Sequence, residues 1–257
     1  MKKLLIFIPA YNSEKTIVSV LDRFPRALWD RTSEVLILDN GSEDSTFKKV
    51  IDYKKRNNLR KLVVMKNHRN LGYGGSKKRA FKYGIDKGYD IFLMIHSDGQ
   101  YPPENALDMI RPIEQEKMKL VIGSRIDPIK GGMKIWKLLG NRTLTYIENM
   151  VFGLRLYEFH SGYKAYDLKS LGKIPIGSFD NDHVISSETI AAFKARNFPI
   201  TEVLVPTHYS KNSSECSFST SVRYGMDVMK LINRYILYKF GINRRDKLFS
   251  SKNNLKL

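Results

Sequence analysis

A single cysteine, Cys216, stands among the 257 residues, so the chain has no internal disulfide and no cysteine-based metal cluster. Its Ser-rich setting offers no adjacent base, and it reads as an incidental thiol. No apolar stretch approaches the roughly 20 residues needed to span a bilayer. The opening MKKLLIFIPAYN meets Pro9 before any signal-peptide core or cleavage site develops, which makes the expected location cytoplasmic. Neither a P-loop nor a G-x-G-x-x-G fingerprint is present, and there is no internal repeat or low-complexity linker. Acidic residues are in short supply: 26 Asp and Glu against 44 Lys and Arg leave a formal charge of +18. Such a field attracts polyanions, whether nucleotides, nucleic acid or anionic lipid surfaces, and charge alone does not choose among them.

What is present is enough apolar residue, 42%, to bury a substantial core in one large domain or in one domain with an elaborated C-terminal part. Short apolar runs at 3–9, 34–38, 62–65 and 120–122, and the run opening at Ile91, read as strands buried on both faces. Ile17, Val20, Leu21 and Phe24 follow the first at helical spacing, with Ser13 as expected N-cap. The second strand ends in the polar cluster Asp39 to Thr46, and the third in Asn67 to Ser76, ahead of a helix opened by Lys77, Lys78 and Arg79. Strands alternating with helices predict a parallel α/β sheet that gathers these polar loops along one edge. The glycines before Lys77 suit phosphate, because a helix N-terminus presents free N–H groups, although those three cations also suit a solvated helix face.

The stretch Ile91 to Pro103, IFLMIHSDGQYPP, organises the chain. In an open parallel sheet ligands collect beyond the carboxyl ends of strands, so Asp98 is placed at the ligand crevice as a candidate metal ligand. Asp98-Gly99 is also ordinary turn chemistry, and the local sequence leaves both readings open. Farther on, MKIWKLLGNRTLTYIENMVFGL predicts a helix in which Trp136 and aliphatic residues alternate with Lys134, Lys137 and Arg142. That pattern suits a membrane interface or a core helix with one exposed basic face. A helix from about His183 to Arg196, a strand ITEVLVPTHY and a mixed apolar and aromatic helix from Val222 to Phe240 complete the chain before a basic tail.

Taken in order, IFIPAYNSE, ILDNGSEDST, NLGYGGSKKRAF, HSDGQYPPE, VIGSR, HSGYKAY and the segment from Glu188 through EVLVPTHYS resemble the family 2 glycosyltransferases of the GT-A fold. The likeness is closest to the branch that holds dolichyl-phosphate mannose synthase and the bacterial polyprenyl-phosphate sugar transferases. It implies one GT-A domain over 1–240, a mostly parallel central sheet flanked by helices. Residues 1–125 would form its nucleotide-sugar half, 126–240 its acceptor half with amphipathic helices, and 241–257 a basic tail.

The resemblance further implies an inverting transfer from a nucleotide-diphosphate sugar. Pro9, Ala10, Tyr11, Glu14, Asp39, Arg69, Gly72, Lys78, Ser97 and Asp98 are the implied donor-binding residues, and Asp98, Arg125, Glu158 and Asp182 the implied catalytic ones. Asp98 and Gln100 occupy the positions for Mg²⁺ or Mn²⁺, whose charge offsets that of the departing nucleoside diphosphate. His96 stands where the family has the first Asp of its Asp-x-Asp pattern, either as a nitrogen ligand or as a hydrogen-bonding end to the strand. Glu158 replaces an Asp that often precedes the Ser-Gly-Tyr element, and Glu188 sits on the helix expected to face the acceptor.

The expected acceptor is a lipid phosphate or a cell-envelope glycan, met at the inner face of an anionic membrane by a peripheral protein. Nucleic acid is not an expected partner, and the oligomeric state stays open. Two competing classes are a catalytically silent nucleotide-sugar-binding module, suggested by His96, and a basic nucleic-acid-binding protein, suggested by the net charge.

Overall fold

The structure, a computed structural model, describes residues 1–208 and 217–250. Cys216, the last residues of the ITEVLVPTHYS motif and the end of the basic tail lie outside the described residues.

Seven strands form one sheet in the order β3-β2-β1-β4-β6-β5-β7. They are β1 (Leu4–Ala10), β2 (Glu34–Asp39), β3 (Leu62–Lys66), β4 (Ile91–Met94), β5 (Leu120–Ile126), β6 (Lys164–Asp167) and β7 (Ile200–Pro206). All pairings are parallel except those of β6, which runs antiparallel to both β4 and β5. The apolar runs read as strands are therefore strands. β6, KAYD, carries a charge at each end of four residues and has no apolar run to announce it.

Alternation along β1 shows why its run is continuous. Leu5 and Phe7 face one core with α4 (Gly72–Asp86), α8 (Ile185–Ala195) and α9 (Phe218–Lys239). Leu4, Ile6 and Ile8 face a second core with α1 (Ile17–Asp22), α2 (Arg26–Arg31), α3 (Thr46–Arg56) and α5 (Ala106–Glu114). A strand covered by helices on both faces needs apolar residues at every position. The remaining helices are α6 (Ile135–Phe152) and the short α7 (Leu168–Leu171).

Two local expectations are corrected. α1 begins at Ile17, and Ser13 does not cap it with its side chain; the Ser13 carbonyl accepts from Thr16 and Ile17, and its hydroxyl meets Ser97 at 2.9 Å. The N-terminus of α4 is not open to phosphate either. Gly74 and Gly75 both donate their N–H groups to the Asn181 carbonyl, at 2.7 and 3.3 Å. The glycines are required because the 180–182 backbone lies against the helix: a Cβ on Gly74 would overlap the carbonyls of Asp180 and Asp182. Gly74→Ala is therefore expected to destabilise the protein by about 2 kcal/mol, a fall in Tm of ~5 °C by thermal melting. An unchanged melt would show that this loop yields freely.

Candidate active site

Parallel pairing brings the ends of β1, β2 and β4 to one edge. Asn40 and Asn67 continue the ladder, donating to Ala10 and Asp39 at 2.8 Å each, and Ile95 donates to Phe7 at 2.9 Å. Beyond this edge lies a cleft of about 790 Å³. Its near wall is Pro9, Ala10 and Tyr11 with Asn40 and Gly72, its floor His96, Ser97, Asp98, Gln100 and Arg125, and its far wall α6 and α9 with Trp136, Leu144, Phe218 and Tyr224.

The Asp98 turn is built to hold a shape. Gly99 has a φ of 74°, which suits glycine, and the Gln100 N–H donates to Asp98 Oδ1 at 3.1 Å. Tyr101 accepts from the Gly162 N–H at 3.2 Å, while Tyr163 donates to the Pro102 carbonyl at 3.1 Å, so the turn is bolted to the 161–163 segment. The His96 ring packs edge-on to Tyr101, 5.3 Å between centroids. Its Nε2 is buried without a hydrogen-bond partner against Gly162, where a Cβ would overlap the ring. Burial holds the His96 pKa down to about 4, so the imidazole is neutral. Among the described residues no three His, Cys, Asp or Glu side chains cluster to hold a metal. The protein's own set at this edge is one carboxylate, one amide and one neutral imidazole.

Several of the expected residues stand outside the cleft lining. Asp39 is buried under the β2 edge, accepting from the Ser42 N–H at 2.7 Å; its Oδ2 makes no hydrogen bond and lies 3.8 Å from Lys66. Glu14 accepts from the Ser45 N–H, Arg69 is exposed, and Lys78 donates to the Phe179 carbonyl at 2.8 Å. Asp182 is exposed and caps the His183 N–H. Glu188 accepts from the Asp180 N–H at 2.8 Å, and burial raises its pKa to about 7. Glu158 is buried in an ion pair with Arg125, whose Nε donates to it at 2.8 Å and whose backbone N–H donates at 3.2 Å. Among the described residues that line the cleft, Asp98 is the one carboxylate.

Sequence reasoning left out much of the lining. Asn40 clamps the 67–72 loop, donating to Asn70 at 2.8 Å and accepting from Asn67 and Leu71. His183 stacks on Tyr73 with centroids 4.7 Å apart. A strand-end Asn directly after Asp39 was a usable signal for the first, whereas nothing local marks the second. Two lysines are buried behind the floor. Lys77 donates to the Tyr166 hydroxyl at 2.9 Å between three aromatic rings, and Lys164 donates to the Phe159 and Ser161 carbonyls. Burial drives the Lys77 pKa well below its ordinary value and that of Lys164 down to about 7.

α6 and α9 pack together, with Trp136 and Phe218 in edge contact at 5.2 Å. Outside that contact, Ile135, Leu139, Tyr146 and Met150 of α6 and Val222, Met226 and Met229 of α9 are exposed. α6 buries Thr145, Glu148 and Phe152 and packs Leu144, Ile147 and Val151 against the core, while its other face exposes apolar as well as basic residues. No helix among the described residues is long and apolar enough to cross a membrane.

Residues 5–175 match the family described as Glycosyl transferase family 2. A UDP-N-acetylglucosamine–dolichyl-phosphate N-acetylglucosaminyltransferase of Methanococcus voltae is 28% identical over 93% of this chain and 97% of its own length. A polyprenol monophosphomannose synthase of Mycolicibacterium smegmatis is 25% identical over 70% of this chain and 67% of its own length. Among solved structures, glucosyl-3-phosphoglycerate synthase from Mycobacterium tuberculosis, in complex with Mn²⁺, UDP-glucose and phosphoglyceric acid, superposes with a TM-score of 0.71. That likeness has 20% identity and covers 91% of this chain and 79% of the synthase. The GT-A fold expected from the sequence is the fold observed, and with its motifs in order over two thirds of its length the chain belongs to glycosyl transferase family 2.

Proposed function

We propose that this glycosyltransferase moves a sugar from a UDP-sugar to a polyprenyl-type lipid phosphate, with inversion, at an anionic membrane surface. The observation that carries the choice of acceptor is that Asp98 is the one carboxylate among the described residues lining the cleft, Glu158 being taken up by Arg125. A hydroxyl acceptor needs a base to remove its proton, whereas a phosphate is already anionic and needs none. A glycan acceptor is therefore the weaker reading.

The donor would lie along Pro9, Ala10 and Tyr11, with Asp39, buried behind this edge beside Lys66, holding the Ser42 turn next to the base or ribose. Glu14, Arg69, Gly72, Lys78 and Ser97 would frame the nucleotide, directly or through the loops they hold. Asp98 with Gln100 would hold Mg²⁺ or Mn²⁺, and the diphosphate oxygens would complete a set that the protein leaves short of charge. Because His96 Nε2 is turned to Gly162, ligation by His96 would fall to Nδ1. When bound, the cation offsets charge on the departing nucleoside diphosphate. Arg125 would orient the acceptor phosphate, and Asp182, at the rim, would act through His183.

The apolar faces of α6 and α9, flanked by Lys134, Lys137, Arg142, Arg223 and Lys230, meet the cleft at Trp136, Phe218 and Val222 and suit an anionic interface. The paired substitution Leu139→Asp and Met226→Asp is expected to weaken sedimentation with phosphatidylglycerol vesicles at least tenfold, and salt to release the wild type. Vesicle binding that ignores both would remove the membrane from this reading. The donor side is tested by calorimetric titration with UDP, GDP, dTDP-glucose and CMP, each with Mg²⁺, Mn²⁺ or EDTA. Metal-dependent binding of UDP supports the proposal, and preference for another nucleotide overturns its donor.

A further inference from the structure

Four elements send polar side chains to one buried point on the acceptor side of the cleft. Glu148, from the inward face of α6, is fully buried; neither carboxyl oxygen reaches good hydrogen-bond geometry, although the Ser187 hydroxyl beside it favours the ionised form against burial. Its Oε2 faces His160 Nε2 at 3.4 Å. His160, on the turn before β6, has its other nitrogen 2.8 Å from the Tyr224 hydroxyl of α9, with the two rings edge to face at 5.5 Å. That hydroxyl lies 3.2 Å from Ser187 Oγ of α8. His160 and Tyr224 both line the cleft, and Glu148 does not.

A carboxyl buried on an amphipathic helix with no cation in hydrogen-bonding contact calls for an account. We propose that Glu148, as a neutral acid, fixes the tautomer of His160 and thereby frees the Tyr224 hydroxyl to donate to the phosphate of the acceptor. The step is one of hydrogen bonding only. Glu148 donates to His160 Nε2, so the imidazole carries its own proton on Nδ1. It donates that proton to the phenol oxygen, and the phenol's proton is left to turn from Ser187, its resting partner, to the acceptor. Tyr224 is the acceptor contact, and His160 and Glu148 are positioning residues. Burial supports the protonation states, raising the Glu148 pKa to about 8 and lowering that of His160 to about 3. Among the described residues, the groups facing the cluster are Lys164 of β6, with a pKa lowered to about 7, the Arg125–Glu158 pair, Tyr73 of α4 and the Asn141 backbone of α6. Tyr224 itself is held far above its ordinary value by burial and stays a donor.

The inference rests on the lipid-phosphate reading above, and the test separates the two. Farnesyl phosphate in detergent is titrated against the full chain by quenching of Trp136, which lines the cleft. UDP with Mn²⁺ is titrated in parallel by calorimetry. Tyr224→Phe keeps the ring and is expected to weaken farnesyl phosphate binding about tenfold while UDP affinity stays within twofold. Glu148→Leu should reproduce that loss, and Glu148→Gln, whose amide can donate to Nε2, should restore wild-type affinity at pH 7.

Above about pH 8 the wild-type acid ionises and accepts from Nε2 instead. With the imidazole proton now on Nε2, Nδ1 accepts the phenol's O–H hydrogen bond, and wild-type affinity should fall between pH 7 and 9 while that of Glu148→Gln does not. An unchanged affinity in Tyr224→Phe, or the same pH profile in wild type and Glu148→Gln, overturns the network. Wild type that binds UDP but no farnesyl phosphate overturns the acceptor reading and the network with it, and binding of neither overturns the whole site. Should Glu148→Leu fail to fold, Tyr224→Phe and the pH profile decide alone.

Discussion

Asp98→Asn is expected to lower sugar transfer by about 10³-fold or more and to leave Tm within a degree or two of wild type. The substitution is isosteric, and Asp98 Oδ1 accepts one backbone N–H within its own turn, a bond that an amide oxygen also accepts. What changes is the charge at the one carboxylate that lines the cleft among the described residues. With His96 neutral and Gln100 uncharged, no second anion among the described residues lining the cleft holds a cation in its place. Binding of UDP should therefore lose its dependence on Mn²⁺ as well as its strength, which calorimetry reads without any turnover. Wild-type turnover by Asp98→Asn would remove the metal role from this residue, and the reading of the donor site would then rest on Arg125 and the backbone alone.

The legible parts of this fold are those where burial acts on many residues in a row. β1, β2 and β4 are covered on both faces, so their composition is uniformly apolar and they stand out against the loops. The loops at their ends are equally legible, because a parallel sheet delivers them all to one edge, and Asp98 follows from that alone. Illegible parts depend on contacts between distant segments. The glycines ahead of Lys77 carry the composition of a phosphate loop, yet what they accommodate is the 180–182 backbone, more than a hundred residues away. β6 reads as polar because Lys164 spends its ammonium on two carbonyls of its own turn, a use that hydropathy cannot show. Glu148 sits in a helix whose charge pattern assigns it to solvent, and only the position of His160 explains its burial.

Glu158 is where sequence resemblance and geometry lead to different experiments. A base role predicts that Glu158→Gln loses transfer with the melt unchanged. The geometry predicts a loss of stability, because the carboxylate accepts from the Arg125 side chain and backbone in a setting where both groups are almost wholly buried. Breaking a buried pair by removing one partner costs ~3–5 kcal/mol, since the remaining charge is left without compensation. For a chain of this size that is a fall in Tm of ~10 °C. Glu158→Leu should show that fall in full and Glu158→Gln a part of it, and adding Arg125→Met to Glu158→Leu should recover most of it, because the stranded charge goes too. The double variant should fold and still bind UDP while transferring poorly, since the guanidinium that lines the cleft is gone. If Glu158→Leu melts with the wild type, the ion pair contributes nothing to the fold and the carboxylate is available for chemistry. If it melts early and the double variant recovers, Glu158 serves to hold Arg125 against the acceptor, and the reaction proceeds without a protein base, as a phosphate acceptor requires.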